Sequence, residues 1–316
     1  MKSIKQRRRI FLSTFMLKIK KNIYRDRYLY LLLAPMIIWV ILFKYKPLYG
    51  LQIAFKDYSL FKGIADSPWV GLEHFKTFFT GPYFYRTIRN TFLLNLMILA
   101  FGFPAPILLA LLLNEIKNLK YKSFVQTATY LPHFISSVIV AGIVINFLSP
   151  STGVINIIIE RLGFERIYFL IKPELFRGIF VGMGIWQEAG FKSIVFLAAL
   201  AGIDQQLYEA ARIDGANRFK QALHVTIPGL LPTIMIMFII QIGNLVTLSF
   251  EKIILLYNPA TYETADVLGS YVYRVGLVDA QYDLAAAVGL FETLVAFVLV
   301  VGANKLSKHL TKNSLW

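Results

Sequence analysis

The chain contains no cysteine among its 316 residues. That excludes disulfides, thiolate-held metals and cysteine nucleophiles. Charge is also scarce, at 16% Asp, Glu, Lys and Arg, against roughly 25% in soluble domains. The histidines are His74, His133, His224 and His309, too scattered for metal-ligand spacing. His133 follows Pro132 at the start of an apolar stretch, where an interfacial or packing role is the default. No Gly-Lys-Ser/Thr phosphate-binding run is present; Gly190-Phe191-Lys192-Ser193 resembles one only superficially. His-Glu-x-x-His and Gly-x-Ser-x-Gly are missing too. The enzyme reading that remains is a membrane-embedded lipid or glycan transferase.

What the chain does have is apolar sequence in long blocks. Hydrophobic residues make up 57% and the mean hydropathy is +0.59. Runs of about 18 apolar residues read as membrane spans. The blocks predict an all-α integral membrane protein of six transmembrane helices, near 28–43, 90–113, 124–148, 178–201, 229–249 and 284–302. The first block is short, but Lys44-Tyr45-Lys46-Pro47 follows it in place of a small-x-small cleavage site, so it reads as an uncleaved span. Pro35, Pro104 and Pro106 would break isolated soluble helices; in a bundle, neighbouring helices satisfy the freed carbonyls.

The formal charge of +15 does not point to nucleic acid, because ten Lys/Arg fall before residue 28, just ahead of the first span. A basic juxtamembrane segment is attracted to anionic lipid and held inside. With residue 1 inside, the inner segments 1–27, 114–123, 202–228 and 303–316 carry about twice the Lys/Arg density of the outer ones. Both termini and the loop 202–228 are then cytoplasmic.

That loop is the one long polar stretch between spans on the inner side. Asp204 suits an N-cap for a helix to about Asp214, with Gly215 as its C′ residue. A second helix from Asn217 to about Thr226 is expected to end ahead of Pro228. Ala210 and Ala211 leave room for a partner surface, and Glu209 offers a charge to a partner cation. On these grounds alone an amphipathic connector explains the loop as well as a docking element does.

Polar residues inside spans mark cavities or helix contacts. Glu188 and Lys192 are four apart and share a helix face, with Trp186 and Gln187 beside them. Gln241 and Asn244 begin a stripe that continues through Thr247 to Glu251, and Glu292 stands in the last span. These side chains either pair or line a substrate path. The outer segment 250–283 mixes tyrosines, among them Tyr273, with carboxylates. Such a mixture fits sugar recognition or an interfacial aromatic belt.

The stretch Tyr208-Glu209-Ala210-Ala211-Arg212-Ile213-Asp214-Gly215, running to Val225-Thr226-Ile227-Pro228, resembles the coupling-loop signature of type I ABC importer permeases. Val225 and Ile227 replace the usual Ile and Leu. Phe43-Lys44-Tyr45-Lys46-Pro47-Leu48-Tyr49-Gly50, Phe101-Gly102-Phe103-Pro104-Ala105-Pro106, Tyr130-Leu131-Pro132-His133-Phe134, Ala201-Gly202-Ile203-Asp204 and Ser314-Leu315-Trp316 resemble its oligosaccharide and polysaccharide-fragment branch, related to the maltose-type permeases.

The resemblance implies a permease domain over 28–302. Its coupling helix would be formed by Glu209, Ala210, Ala211, Asp214 and Gly215, and closed by Pro228. It implies a second permease subunit as heterodimer partner, two ATPase subunits, an extracytoplasmic solute-binding protein and a bacterial cell membrane. ATP and magnesium would sit on the ATPases and no cofactor on this chain. The substrate would be an oligosaccharide; several members of the branch handle uronate-containing fragments. Within this chain Gln187, Glu188, Gln241, Asn244, Glu251 and Tyr273 are the candidate substrate path. The competing reading is a sugar transporter driven by an ion gradient, which predicts an inverted repeat that the two halves do not display.

Overall fold

The computed structural model describes residues 25–243 and 250–311. The basic segment before residue 25, Asn244 and Thr247 of the polar stripe, and Ser314-Leu315-Trp316 lie outside them. The described residues form helices joined by short loops, with one isolated antiparallel bridge between Lys56 and Trp69.

The chain runs through α1 (Arg27–Phe55), the short α2 (Glu73–Thr80), α3 (Phe84–Glu115), α4 (Leu119–Phe134) and α5 (Ser137–Phe147). It continues through α6 (Val154–Arg161), α7 (Pro173–Ala201), α8 (Gln205–Ile213), α9 (Arg218–Gly243), α10 (Phe250–Leu256), α11 (Leu268–Tyr273) and α12 (Tyr282–Thr311). Among the described residues α1, α3, α9 and α12 are long and apolar enough to cross a membrane, and α4 with α5 makes a fifth, bent segment. The expected fourth span is α7. Its 29 residues measure about 43 Å at 1.5 Å per residue, but Gln187, Glu188 and Lys192 dilute its apolar character. It packs against α3, α4, α5 and α9, and Phe176, Phe180, Met183, Phe196 and Leu200 are buried along it. One face of α7 is packed inside the bundle, where Gln187 is buried, so the helix tolerates more polar residues than a lipid-facing one.

Three expectations change. The helix that carries the expected span 28–43 continues to Phe55, and its far end packs on α12. The third span is not one helix over 124–148: α4 and α5 meet at 105°. Pro132 opens a 3-10 turn, Ile135 is extended, and the Ser136 hydroxyl accepts from Ile139 N to start α5 afresh. The Gln187 amide donates to the Ile135 carbonyl that the break exposes, at 3.1 Å. Gly190 lets α7 cross α4 at this level: a Cβ there would stand 1.9 Å from the Thr129 carbonyl oxygen.

The third change concerns Pro228, which does not end a helix. A π turn, Ala222–Thr226, carries the chain into the fifth span without interruption. The same device occurs at Ile41–Tyr45 before Pro47 and at Ile98–Gly102 before Pro104. Each π turn stops two residues short of its proline. An α-helical proline leaves the carbonyl four residues back without a donor and clashes with it. The wider turn moves that carbonyl aside, so the helix continues.

At the opposite end from the loop, a buried charge network locks the helices. Asp266 is fully buried and accepts from Arg86 and Arg274, both at 2.7 Å, and from Ser270. Asn90 binds the Asp266 carbonyl and receives Arg177. Burial opposes the Arg274 charge, but the Asp266 hydrogen bond and the Coulomb attraction of Asp266 and the neighbouring tyrosines together outweigh it and raise the Arg274 pKa. A buried carboxylate with two guanidinium partners is strongly destabilised if one is removed. Asp283 likewise serves the scaffold, binding Tyr58 N and standing 3.6 Å from His74. Part of the acidic and aromatic content of 250–283 is therefore spent on holding the fold.

Candidate functional site

The loop after α7 is built from local capping. Asp204 Oδ1 accepts from Gln206 N at 2.9 Å and starts α8. At its other end Gly215 N donates to the Arg212 carbonyl and Ala216 N to the Ala211 carbonyl, the paired bonds of a Schellman stop. Gly215 has φ +75°, a conformation that costs any residue with a Cβ about 1–2 kcal/mol. Asn217 caps the next helix through Lys220 N. Two ties fasten the loop to the bundle. The Tyr208 hydroxyl lies 3.0 Å from that of Thr226, and Arg218 pairs with Glu115 at the last residue of α3. Tyr208 and Val225 also pack on the inner core of Ala110, Phe196, Leu200, Ile203 and Leu230.

Glu209, Ala210, Asp214 and Gly215 are exposed and Ala211 is half-buried. Pro228 is exposed at the start of the span. Glu209 forms no hydrogen bond or ion pair with another described residue, which leaves its carboxylate for an outside partner. Two further residues of the loop, not singled out from the sequence, are exposed as well. Ile213 is 87% exposed and Phe219 76% exposed. Large apolar side chains on an otherwise polar loop mark a contact surface. Their isolation among polar neighbours was the signal.

The second site is a cavity of about 340 Å³ between α3, α7, α9 and α10. Its wall is mostly apolar (Phe103, Phe180, Ile240), and its polar groups are Asn95, Glu188, Lys192, Gln241 and Lys252. Glu188 is the hub. Its Oε1 lies 3.0 Å from Lys252 Nζ, and its Oε2 lies 3.7 Å from both Lys192 Nζ and His133 Nδ1. The His133 ring stacks on Phe191 at 3.9 Å and 3°. Two ammonium groups thus face one carboxylate, leaving excess positive charge in a half-dry cavity where Coulomb forces are stronger than in water.

Of the expected path residues, the structure brings together Glu188 and Gln241. Gln187 is buried and turned to the break between α4 and α5. Glu251 is exposed, while its neighbour Lys252 points inward. Asn244 and Thr247, the middle of the stripe, lie outside the described residues, α9 being described to Gly243 and α10 from Phe250. Tyr273 lies 5.8 Å from Phe250, ring to ring, and borders a separate cavity with Tyr282 and Glu292. Lys252 was the residue missed. Its only hint was being the sole lysine of 250–283.

The family described as binding-protein-dependent transport system inner membrane component matches residues 77–313. The polygalacturonan/rhamnogalacturonan transport system permease protein YteP of Bacillus subtilis (strain 168) is 44% identical over 292 residues, 92% of this chain and 91% of that one. A chain of a crystallised bacterial ABC transporter involved in the import of the acidic polysaccharide alginate superposes with TM-score 0.87 and 50% identity, covering 93% of this chain and 99% of that one. A bacterial alginate ABC transporter in complex with an alginate pentasaccharide-bound periplasmic protein matches at TM-score 0.87, 49% identity and the same coverage.

Proposed function

This chain belongs to the binding-protein-dependent transport system inner membrane components, and on that premise we propose that it passes acidic oligosaccharides through the Lys192–Lys252 cavity. It is a membrane transport component of an ABC importer and not an enzyme. The observation that carries the substrate class is the cavity's charge. Lys192 and Lys252 outnumber Glu188, apolar walls strengthen their field, and a sugar carboxylate neutralises the surplus. The relatives' polygalacturonan and alginate fit the same chemistry.

In this reading the chain has six spans, α7 being the fourth, with both termini cytoplasmic in a bacterial inner membrane. A second permease completes the path, a solute-binding protein delivers sugar to the outer face, and two ATPases dock below. The coupling surface is Glu209, Ala210, Ala211, Asp214 and Gly215, extended by Ile213 and Phe219. Pro228, behind its π turn, joins it rigidly to the fifth span. ATP-driven closure of the ATPases shifts the loop. Through Tyr208–Thr226 and Glu115–Arg218 it biases the spans between inward-open and outward-open states.

The test is uptake by the reconstituted importer. Lys192→Gln with Lys252→Gln is expected to lower galacturonate-trimer uptake by roughly tenfold or more while a neutral oligosaccharide still passes. Equal loss for both sugars, or no loss, overturns the acidic assignment.

A further inference from the structure

Glu188 is the carboxylate among the residues that line the cavity. Its Oε1 is hydrogen-bonded to Lys252 Nζ at 3.0 Å, while its Oε2 keeps a second, longer contact with Lys192 at 3.7 Å, four residues along the same helix. Lys252 side-chain exposure is 15% and that of Lys192 45%. The pair therefore joins α7 to α10 across 64 residues of chain, whereas the Lys192 contact stays within α7.

Resting on the acidic reading above, we propose that Glu188 is a built-in stand-in for the substrate carboxylate. It neutralises Lys252 in the empty cavity and yields that lysine when a uronate arrives. Partner exchange is the physical basis. A lysine left bare at this depth is costly, so the empty state needs an anion. Glu188 supplies one without leaving its helix, and it has Lys192 to fall back on. The incoming carboxylate then replaces one ion pair with another, so no charge is stranded at any step. A neutral sugar offers Lys252 nothing that Glu188 does not already give, and the pair stays closed. The exchange also cuts the ionic tie between α7 and α10, so sugar occupancy frees the segment beyond the fifth span to move relative to the central helix. Selectivity and release of the span thus share one contact.

The test uses the complete reconstituted importer with its binding protein, and two probes of equal chain length: trigalacturonate and its fully methyl-esterified form. The readout is the acid-to-ester uptake ratio of each variant divided by that of the unaltered importer, which cancels the binding protein's own preference. Lys252→Gln is expected to lower the ratio about tenfold, and Glu188→Gln to raise it by about the same factor, because the competitor for Lys252 is gone. Glu188→Gln with Lys192→Gln keeps the cavity's net charge, guarding against a folding defect from surplus positive charge, and is expected to raise the ratio as well. If both Glu188 variants keep the original ratio while Lys252→Gln lowers it, the stand-in role is overturned and the acidic reading stands. If no variant moves the ratio, both fall.

Discussion

The loop after α7 and the membrane cavity are assembled on different length scales. In the loop, every turn is set by a partner a few residues away: Asp204 on Gln206, Gly215 on Arg212, Asn217 on Lys220. In the cavity, Glu188 meets His133 and Lys252 from distant parts of the chain, and only Lys192 is local. In the proposed docking role the loop has to keep its shape while it moves against another protein, so local bonds suit it. A cavity that opens and closes is better made from separate helices, whose contacts part without unfolding any of them.

The largest effect expected from breaking this contrast is at Gly190. A Cβ there meets the Thr129 backbone, which has no side-chain freedom to yield. Gly190→Val is expected to cost ~3 kcal/mol or more, seen as a collapse of thermal stability in detergent. An unchanged melting temperature would mean that the α4–α7 crossing does not hold the cavity.

Gly215→Val comes next, at ~1–2 kcal/mol for a branched residue at positive φ. Because the strain is local, ATPase co-purification is expected to weaken while cavity chemistry is spared. Glu209→Ala sharpens the point: ATPase binding falls several-fold with no change in melting. Loss of stability in that variant would make Glu209 a scaffold residue.

Tyr208→Phe removes one hydroxyl contact with Thr226, worth ~1 kcal/mol. ATP hydrolysis is expected to persist with less sugar uptake per ATP, measured in proteoliposomes. An unaltered ratio would remove this contact from the transmission.

The smallest effect lies at α6, where the Arg166 hydrogen bond holds Glu160 below the usual carboxylate range. A depressed pKa means that the pair contributes above the ordinary glutamate range, and its contribution is lost as pH falls through the lower, folded value. Both groups are exposed, so acidification is expected to loosen segment 150–168 without unfolding the bundle, as hydrogen exchange would record.

The two regions were also unequally legible in sequence. The caps of α8, the Gly215 stop and the exposed acid at Glu209 were readable because each depends on neighbours within a turn or two. Glu188 with Lys192 was readable for the same reason. Lys252 and His133 were not assignable to that cluster, since hydropathy records that a segment is apolar and not which segments touch. The bend at Ile135 was hidden likewise: its cause, Pro132, is local, but the Gln187 amide that stabilises it comes from another helix. Pro228 misled in the opposite direction. The rule that a helix stops before proline holds for α-turns, and a π turn evades it.

The Ala222–Thr226 π turn fixes an azimuth. Each α-helical residue advances the chain about 100° around its axis, and a π turn accommodates one residue beyond that count. Arg218, on the docking side, and Gln241, on the cavity side, belong to one unbroken rod, so the extra residue sets the angle between them. Deleting one residue from the turn would leave both faces chemically intact and aim them in mismatched directions.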